Sequence, residues 1–451
     1  MEVILNIPLH YLVAALLLWL LGFYWLVKHP EWIAALVLAF FFFMPALVDL
    51  AFGGKKIPTG QLTLLIFGPP LLASMLIRKT IVKLVDVALL LAYAACIAMA
   101  ILVNGLSFWE VKSALVPVFF ALLIYLSIHS RPALYRLLWV YVLLILVNTI
   151  VQGLQRAGFM WAYLPSELEV AQAGGFVRGV GLSGHFAMAG LYAVVVFPIA
   201  ATLFVFAGNL RQRILAVVLG LIGLAGVVFA VLRAALIGAV LGGIDVLWRR
   251  RSVRTLSAVG AMLVLSLVLT VVIPPLHEAA LAMLTHATTI DDSARNRPRL
   301  AEMGLAAWEE SPILGGGPNA VDRHVGFPAD PHNTFVNVLA ETGVVGLGVF
   351  LTVLGRAYFS AVRAIHRGYR QEGTALAGAL VATLPVAFFH SLNYIVLFWF
   401  VPALCLALGR LPKQRHAGMV PMTGKKHAIG KKRHEKTTLF RGAGGLSSIQ
   451  S

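Results

Sequence analysis

The sequence predicts an all-α, polytopic membrane protein with about 12 or 13 transmembrane helices and one large outer loop. Hydrophobic residues make up 60% of the 451 residues and charged residues only 12%, a balance typical of chains that cross a bilayer repeatedly. The apolar runs are close to the roughly 20 residues that a helix needs to cross the hydrocarbon core. This composition argues against a soluble domain.

The candidate spans are apolar runs separated by short polar stretches: 8–27, 32–51, 61–77, 82–102, 114–129, 134–155, 185–207, 212–231, 233–248, 255–274, 333–355, 374–391 and 394–410. Some are irregular, because Pro69-Pro70 interrupts the third run and only Arg233 separates the eighth from the ninth. The count of spans is therefore 12 or 13, about one for each hydrocarbon-length run.

Orientation follows from the loops that are rich in lysine and arginine, which face the cytoplasm. These loops lie around Arg78, Arg131, Arg211, Arg249 and Arg356. The alternate loops then face outward, and they include residues 275–332. If all the runs span, the N-terminus lies outside; if an early run is a half-helix, it lies inside.

A basic tail is expected after the last span, so the chain divides into a membrane domain at 1–410 and a tail at 411–451. The tail holds nine lysines and arginines against Glu435. Such a tail could bind RNA or nucleotides, but a disordered cytoplasmic segment that touches anionic lipid is its usual meaning. We therefore expect membrane lipids as partners and no nucleic acid.

The outer loop, about 275–332, ends in Pro331-His332-Asn333, and nine residues later comes Gly343-Val344-Val345-Gly346. An imidazole at the junction of a loop and a membrane helix is well placed for acid–base chemistry. The alternative is a histidine at a helix start that bonds only to the loop. Asn333 fits an N-cap, and Glu341 on the same helix is a partner of the histidine or bonds within the bundle.

Two arginines lie where a positive charge is costly. Arg178 follows glycines that allow close backbone approach to a ligand. Arg233 interrupts the apolar stretch Ile214 to Trp248, and an intramembrane arginine marks a functional site by default. The alternative for Arg233 is a tight outer turn with a snorkelling guanidinium.

The outer loop carries further cations, expected mostly to form a solvated basic face that attracts an anionic substrate: Arg295, Arg297, Arg299, Arg323 and His324. Trp308, followed by Pro312 and Gly315-Gly316-Gly317, predicts a helix that ends in a tight turn.

Metal and nucleotide chemistry are poorly supported by the sequence. Cys96 and Cys405 lie inside apolar runs, and the loop carboxylates form no compact cluster with histidine or cysteine at ligand spacing. There is no phosphate-binding Walker A pattern. We therefore expect no metal and no cofactor, and an ATP-driven pump is disfavoured.

Together, the spacing of Arg297, Trp308, the turn 312–317, His332-Asn333 and the glycines from 343 resembles the O-antigen ligase and polymerase superfamily of bacterial membrane glycosyltransferases. The resemblance is best over residues 170–350. It implies a multi-pass protein of the bacterial inner membrane with a large periplasmic loop and an active site facing the periplasm.

The resemblance also implies roles for individual residues. His332 matches the family histidine that activates the acceptor hydroxyl. Arg178 and Arg233 match arginines that contact the donor phosphate, although Leu232 stands where the family often has serine. Arg297 matches an arginine of the loop. Asn333 and Glu341 would support the site.

The function implied is an O-antigen ligase that moves a polysaccharide from undecaprenyl diphosphate to lipid A-core, without a metal and with inversion. A polymerase shares this chemistry but uses a second lipid-linked unit as acceptor, and a protein O-oligosaccharyltransferase is a third reading. A lipid-linked glycan transporter belongs to a different class. It is disfavoured because the charged residues cluster at one face, whereas transporter sites lie near the bilayer midplane.

Overall fold

A computed structural model describes residues 20–52, 59–78, 82–107, 112–159, 162–163, 178–250, 253–288 and 292–413. In these ranges the backbone forms helices and no β-strands, which confirms the predicted all-α class. They belong to one compact unit. The predicted basic tail lies outside the described residues from position 414 onward.

The α-helices are numbered in chain order: α1 Leu20–Lys28, α2 Pro30–Phe52, α3 Thr59–Arg78, α4 Leu84–Val103, α5 Val116–Ser127, α6 Arg131–Arg156, α7 Phe186–Phe206, α8 Leu210–Phe229, α9 Arg233–Arg250, α10 Val253–Val272, α11 Pro274–Thr288, α12 Asp292–Glu309, α13 Ala320–Val325, α14 Thr334–His366, α15 Arg370–Phe389 and α16 Phe400–Arg410. A short 3-10 helix, Val396–Trp399, precedes α16.

Among the described residues, six helices are long and apolar enough to cross a membrane, namely α4, α6, α7, α8, α14 and α15. Two sharply bent pairs, α1 with α2 and α10 with α11, raise the number to eight if each is one span. Three shorter apolar helices occupy other predicted spans. Helix α9 coincides with the run 233–248 but does not pass this test. The count of 12 or 13 spans stays a prediction.

Glycines allow the central helices to pack closely. A Cβ atom added at Gly238 of α9 would lie 2.1 Å from the carbonyl oxygen of Ala382 in α15. One turn later, a Cβ at Gly242 would lie 2.7 Å from the carbonyl oxygen of Gly378. The two backbones are therefore in contact, as in membrane helix pairs with small residues at the interface.

The segment predicted as an outer loop is largely helical. Helix α11 turns by 107° away from the end of α10, and α12 and α13 follow. Helix α12 lies against the start of α14, because a Cβ at Gly304 would be 2.5 Å from Val336 Cγ1 and 3.2 Å from Pro331 Cβ. The loop helices thus pack directly on the segment that carries His332.

The helices give the bundle two chemically different ends. We call one the paired end, defined by four ion pairs: Glu31–Arg136, Asp86–Arg356, Asp245–Arg249 and Glu372–Arg131. The opposite ends of the same helices approach Arg178, His332 and His390, which define the site end. Thr334 begins α14 at the site end, and Arg356 lies in the second half of that helix.

Candidate functional site

His332 is held in an unusual backbone conformation just before α14. Its φ angle is +49°, in the left-handed region that glycine favours and that asparagine, aspartate and histidine enter more often than other residues. Its backbone N–H donates to Asp330 Oδ1 at 2.8 Å, and its Nδ1 lies 3.6 Å from Asp330 Oδ2. The ring is about one-third exposed. His332 therefore sits at an accessible surface with a carboxylate beside one ring nitrogen.

Asn333 is the N-cap of α14, as predicted. Its side-chain oxygen accepts hydrogen bonds from the backbone N–H groups of Phe335 at 2.9 Å and Val336 at 3.1 Å. The next residue, Thr334, is fully buried and donates from Oγ1 to the carbonyl of His390. The cap therefore fixes the direction of the chain immediately after His332.

A row of polar side chains then joins α14 to the segment after α15. Asn337 donates from Nδ2 to Asn393 Oδ1 at 3.1 Å. Glu341 accepts from Asn393 Nδ2 at 3.1 Å and from the hydroxyl of Tyr394. Positions 334, 337 and 341 share one helix face because they are spaced by three and four residues. They bind 390–394 against the start of α14.

Glu341 does not contact His332, so it is not the direct partner that the sequence allowed. Its side chain is 2% exposed, and its Oε1 accepts the backbone N–H of Asn319 at 2.9 Å. It therefore fastens three chain segments together, and the carboxylate that contacts His332 is Asp330.

The glycine at 343 breaks α14 so that the turn 312–317 can enter it. Gly343 has φ +64° and ψ −171°, which is not helical. In a continuous helix, Val344 and Val345 would donate to the carbonyls of Ala340 and Glu341. Instead they donate to Pro312 at 2.9 Å and Ile313 at 3.3 Å.

The turn donates hydrogen bonds to the two carbonyls that this break leaves without helical partners. Gly316 donates to Ala340 at 2.8 Å and Gly317 to Glu341 at 2.9 Å. A Cβ at Gly343 would lie 2.2 Å from the carbonyl oxygen of Ile313, so only glycine fits. This exchange of four main-chain bonds explains the spacing between His332-Asn333 and the later glycines.

A second row of polar side chains, on α6, positions Arg178. Gln155 Oε1 accepts the backbone N–H groups of Val180 and Gly181 at 3.0 and 2.8 Å. Gln152 donates to the carbonyl of Gly179 at 3.0 Å, and Asn148 accepts from the backbone of Leu182. These three amides lie on one face of α6. They supply the hydrogen bonds that an extended segment between apolar helices needs.

Aromatic rings connect the cations of the site end. The guanidinium of Arg178 lies 4.1 Å from the centroid of the Phe186 ring. The Phe186 ring packs edge-to-face against His390 at 6.2 Å, and the His390 ring packs edge-to-face against His332 at 6.2 Å. Arg297 lies 5.8 Å over the ring of Phe389. The structure thus brings Arg178, Arg297 and His332 around His390.

Two histidines of this cluster are held neutral. Burial lowers the pKa of His185 to about 4, and the charges of Arg178 and His332 act in the same direction. Burial lowers the pKa of His390 to about 3, followed in effect by Arg297, His332, His185 and Arg178. His185 Nδ1 accepts the backbone N–H of Ala187 at 3.1 Å, so its neutral ring carries the proton on Nε2.

Arg233 lies on a neighbouring turn, outside these contacts. It is the exposed first residue of α9, after Val231 at φ +51°. The carbonyl of Phe229 accepts the N–H of Gly179 at 2.9 Å, so this turn abuts the segment of Arg178. Leu232 packs on Gly190 of α7. The tight turn that was the alternative for Arg233 is present, and Arg233 lies on a different element from Arg178.

The loop cations do not all form a solvated basic face. Arg323 donates to the carbonyls of Gly316, Gly317 and Pro318, so it reinforces the turn that enters α14. His324 pairs with Glu310 at 2.6 Å. Arg297 is partly buried in the cluster. The sequence could not show this because the positions of the carbonyls that bind Arg323 depend on how the turn folds back toward α13.

An apolar cavity of about 360 Å³ opens between α6, α8 and α10. Its lining includes Leu146 and Ile150 of α6, Ala225 and Phe229 of α8, and Leu269 of α10. Phe229 also bonds through its carbonyl to Gly179, next to Arg178. The cavity is therefore lined by a residue that bonds to the neighbour of Arg178 in the chain.

Sequence reasoning missed His185 and His390 and did not assign Asp330 to His332. A single histidine in an apolar run gives little signal. The amides at 148, 152 and 155 were a usable signal, because three such side chains on one face of an apolar helix indicate a bound polar segment. Among the described residues, no group of three or more histidine, cysteine, aspartate or glutamate side chains could hold a metal ion.

One comparison with known proteins finds a match that covers part of this site. Residues 221–351 match the family model described as O-antigen ligase. The match confirms the resemblance to the O-antigen ligase superfamily, whose members are glycosyltransferase-like ligases and polymerases. It covers α14 up to the glycine break and beyond, the loop helices and Arg233, whereas Arg178 and His390 lie outside it. No curated protein matches the chain.

Proposed function

We propose, from the match of residues 221–351 to the O-antigen ligase family, that this protein transfers a polysaccharide from undecaprenyl diphosphate to lipid A-core at the periplasmic face of the bacterial inner membrane. The observation that carries the proposal is the site end itself. There an accessible histidine with a carboxylate neighbour stands beside two arginines and two neutral histidines.

The arginines fit a diphosphate leaving group. Arg178 precedes α7 and Arg297 lies on α12, and both lie near His390. Guanidinium groups bind phosphate oxygens in bidentate fashion. Negative charge grows on the diphosphate as the glycosidic bond breaks, and fixed cations in a water-poor site stabilise that charge. Arg233, on the adjoining turn, would contact the same group from α9. This charge neutralisation is proposed to replace a metal ion.

The apolar cavity beside Phe229 fits the lipid part of the donor. A polyprenyl chain is purely hydrocarbon, and a cleft between helices lined by leucine, isoleucine, alanine and phenylalanine offers matching surface. Its proximity to the Arg178 segment would let the tail enter from the membrane while the diphosphate reaches the arginines.

His332 is the proposed catalytic base. The acceptor hydroxyl loses its proton to the imidazole as its oxygen attacks the anomeric carbon, and the bond from that carbon to the phosphate oxygen breaks. The products are the glycosylated acceptor and undecaprenyl diphosphate, and attack opposite the leaving group inverts the anomeric centre. Asp330, 3.6 Å from Nδ1, would stabilise the imidazolium that forms.

Asn333 and Glu341 are proposed to support the site without touching substrate. Asn333 sets the direction of α14 behind His332. Glu341 holds the segment 390–394 and the turn at Asn319 in place. Their replacement should lower activity by moving His332 and His390.

The test is the lipopolysaccharide banding pattern of a deletion strain complemented with the wild type, His332→Asn or His324→Asn. Asparagine tolerates the left-handed backbone of position 332, so His332→Asn removes the imidazole with little strain. His324 lies on the same loop and serves as the matched control. We expect polymer on the core for the wild type and His324→Asn. For His332→Asn we expect bare core with accumulated carrier-linked polymer.

Other patterns would point elsewhere. A core that carries one repeat unit would identify the polymerase, which shares the chemistry but extends a lipid-linked acceptor. Normal banding with His332→Asn would remove the histidine from the mechanism. A purified protein that releases no carrier diphosphate, with carrier-linked polymer and acceptor supplied and no gradient, would favour the transporter.

A further inference from the structure

The imidazole of His390 is buried with a ring nitrogen that has no hydrogen-bond partner among the described residues. The residue is 7% exposed, and the unpartnered atom is Nε2. Buried polar groups in folded proteins are nearly always hydrogen-bonded, so an unpartnered one in a site points to an absent ligand atom.

The position of His390 is fixed on several sides. Its carbonyl accepts from Thr334 Oγ1 at 2.6 Å, and the same oxygen of Thr334 accepts the N–H of Leu392 at 2.8 Å. The imidazole is wedged edge-to-face between the rings of Phe186 and His332. The ring is therefore held in a fixed position. A poorly held segment does not explain why Nε2 lacks a partner.

The charges around the ring indicate which kind of ligand atom can bind to Nε2. The guanidinium groups of Arg297 and Arg178 act on His390 as positive charges. A cation would be repelled there, and an apolar group would leave Nε2 unpaired. An anionic oxygen satisfies both the cations and the N–H of a neutral imidazole that carries its proton on Nε2.

We propose that His390 binds the diphosphate of the lipid-linked donor by donating a hydrogen bond from Nε2 to a phosphoryl oxygen. This inference rests on the proposed function and adds a neutral donor to the arginines. His332 is left free for the acceptor hydroxyl, since His390 contacts the phosphate. His390 thus marks the boundary between the leaving-group side and the acceptor side of the site.

The test measures binding of inorganic pyrophosphate to the full-length protein in detergent, by calorimetry, for four proteins: the wild type, His390→Phe, His390→Gln and Arg178→Ala. Phenylalanine keeps a ring between Phe186 and His332 but cannot donate. The side-chain amide of glutamine places an N–H near the position of Nε2. We expect His390→Phe to raise the Kd about tenfold or more, the effect of losing one charge-assisted hydrogen bond. We expect His390→Gln to stay within about threefold of the wild type.

Thermal unfolding of the same proteins separates binding from a structural role. His390→Phe should unfold at or above the wild-type temperature, because it removes a buried polar atom without a partner. With the lipid donor, His390→Phe should raise KM more than it lowers kcat, since the hydrogen bond is made to the bound substrate.

Three results would overturn the inference, and they differ in what they say of the proposed function. If Arg178→Ala weakens pyrophosphate binding and His390→Phe does not, only the role of His390 is wrong. If His390→Phe lowers the unfolding temperature and leaves the Kd unchanged, the residue is structural. If the wild type binds no pyrophosphate at millimolar concentration, the diphosphate site itself is wrong, and the inference with it.

Discussion

The two ends of this helix bundle both hold charged side chains but use them differently. At the paired end, Asp86 is fully buried against Arg356 and the hydroxyl of Tyr125. At the site end, Arg178 and Arg297 surround a neutral His390. Charges matched inside the protein stabilise the fold, whereas an excess of one sign is available to a ligand of the opposite sign. The difference assigns stability to one end and binding to the other.

The largest expected effect on stability is at the paired end. Asp86→Ala leaves the guanidinium of Arg356 without its carboxylate, and breaking a buried pair this way lowers stability by about 3–5 kcal/mol. Thermal unfolding in detergent, followed by tryptophan fluorescence, should show the loss, with turnover per folded molecule unchanged. Glu310→Ala, which breaks the exposed pair with His324, is the control and should change stability by less than about 1 kcal/mol. Equal losses in the two variants would contradict the division between the ends.

The glycine break in α14 gives the next effect. Gly343→Ala forces a Cβ into the carbonyl of Ile313 at a φ angle of +64°. We expect a loss on the order of 2–4 kcal/mol from strain and from displacement of the turn. Gly348→Ala in the same helix is the matched control, since its Cβ would meet nothing within 4 Å, and it should raise stability by up to about 1 kcal/mol. Two alanine variants with the same unfolding temperature would mean that the main-chain exchange does not hold α14.

Acid should destabilise the site end through its neutral histidines. In the unfolded chain the pKa of histidine is about 6.5, and burial lowers the pKa of His185 to about 4 in the folded protein. Between these values the unfolded chain binds more protons, so stability falls as the pH drops from 7 toward 4. His185 alone should contribute on the order of 2–3 kcal/mol by pH 4.5.

His185→Asn keeps a side chain that caps helices well and removes the titration. The unfolding temperature of this variant should therefore fall less steeply with acid than that of the wild type. Identical slopes would show that another group, and not His185, carries the acid sensitivity.

The smallest effect compares two helix caps of the same type. Asn333 caps α14 at the site end, and Ser130 caps α6 at the paired end, accepting from Ala133 at 3.3 Å. Replacing either by alanine should lower stability by about 1 kcal/mol. Only Asn333→Ala should also lower the rate of polymer transfer, because it loosens the chain next to His332. A matching loss of activity in Ser130→Ala would show that the effect is global instability.

Much of the fold followed from local sequence. The apolar runs from 32 to 410 correspond to helices in the structure, since length and hydropathy decide whether a segment forms a membrane helix. The cap at Asn333 and the turn at Arg233 also followed, because they depend on neighbouring residues. Within 275–332, the helix that ends near Trp308 was predicted and is present as α12. The helices α11 and α13 were not predicted, since a polar helix that packs on one side looks like a loop in composition.

Only part of the site could be predicted from the sequence. The rest depends on contacts between residues that are far apart in the chain. His332, Arg178 and Arg297 could be singled out as costly or well-placed polar groups. His390 could not, because its meaning comes from two neighbouring rings and two arginines that separate chain segments bring together. The structural role of Arg323 was hidden too, since it depends on how the turn folds back toward α13.

The exchange of main-chain hydrogen bonds at Gly343 also bears on the order in which the turn 312–317 and α14 are synthesised. Without the turn 312–317, the N–H groups of Val344 and Val345 and the carbonyls of Ala340 and Glu341 would either pair in a continuous helix or stay unpaired, which in lipid costs several kcal/mol for each group. The turn precedes α14 in the chain, so the ribosome has already delivered it when α14 emerges. A circular permutant that starts at 318 and supplies the turn last would insert α14 first, either as a continuous helix that must open later or with those groups unpaired. The turn is therefore synthesised before the helix that it enters.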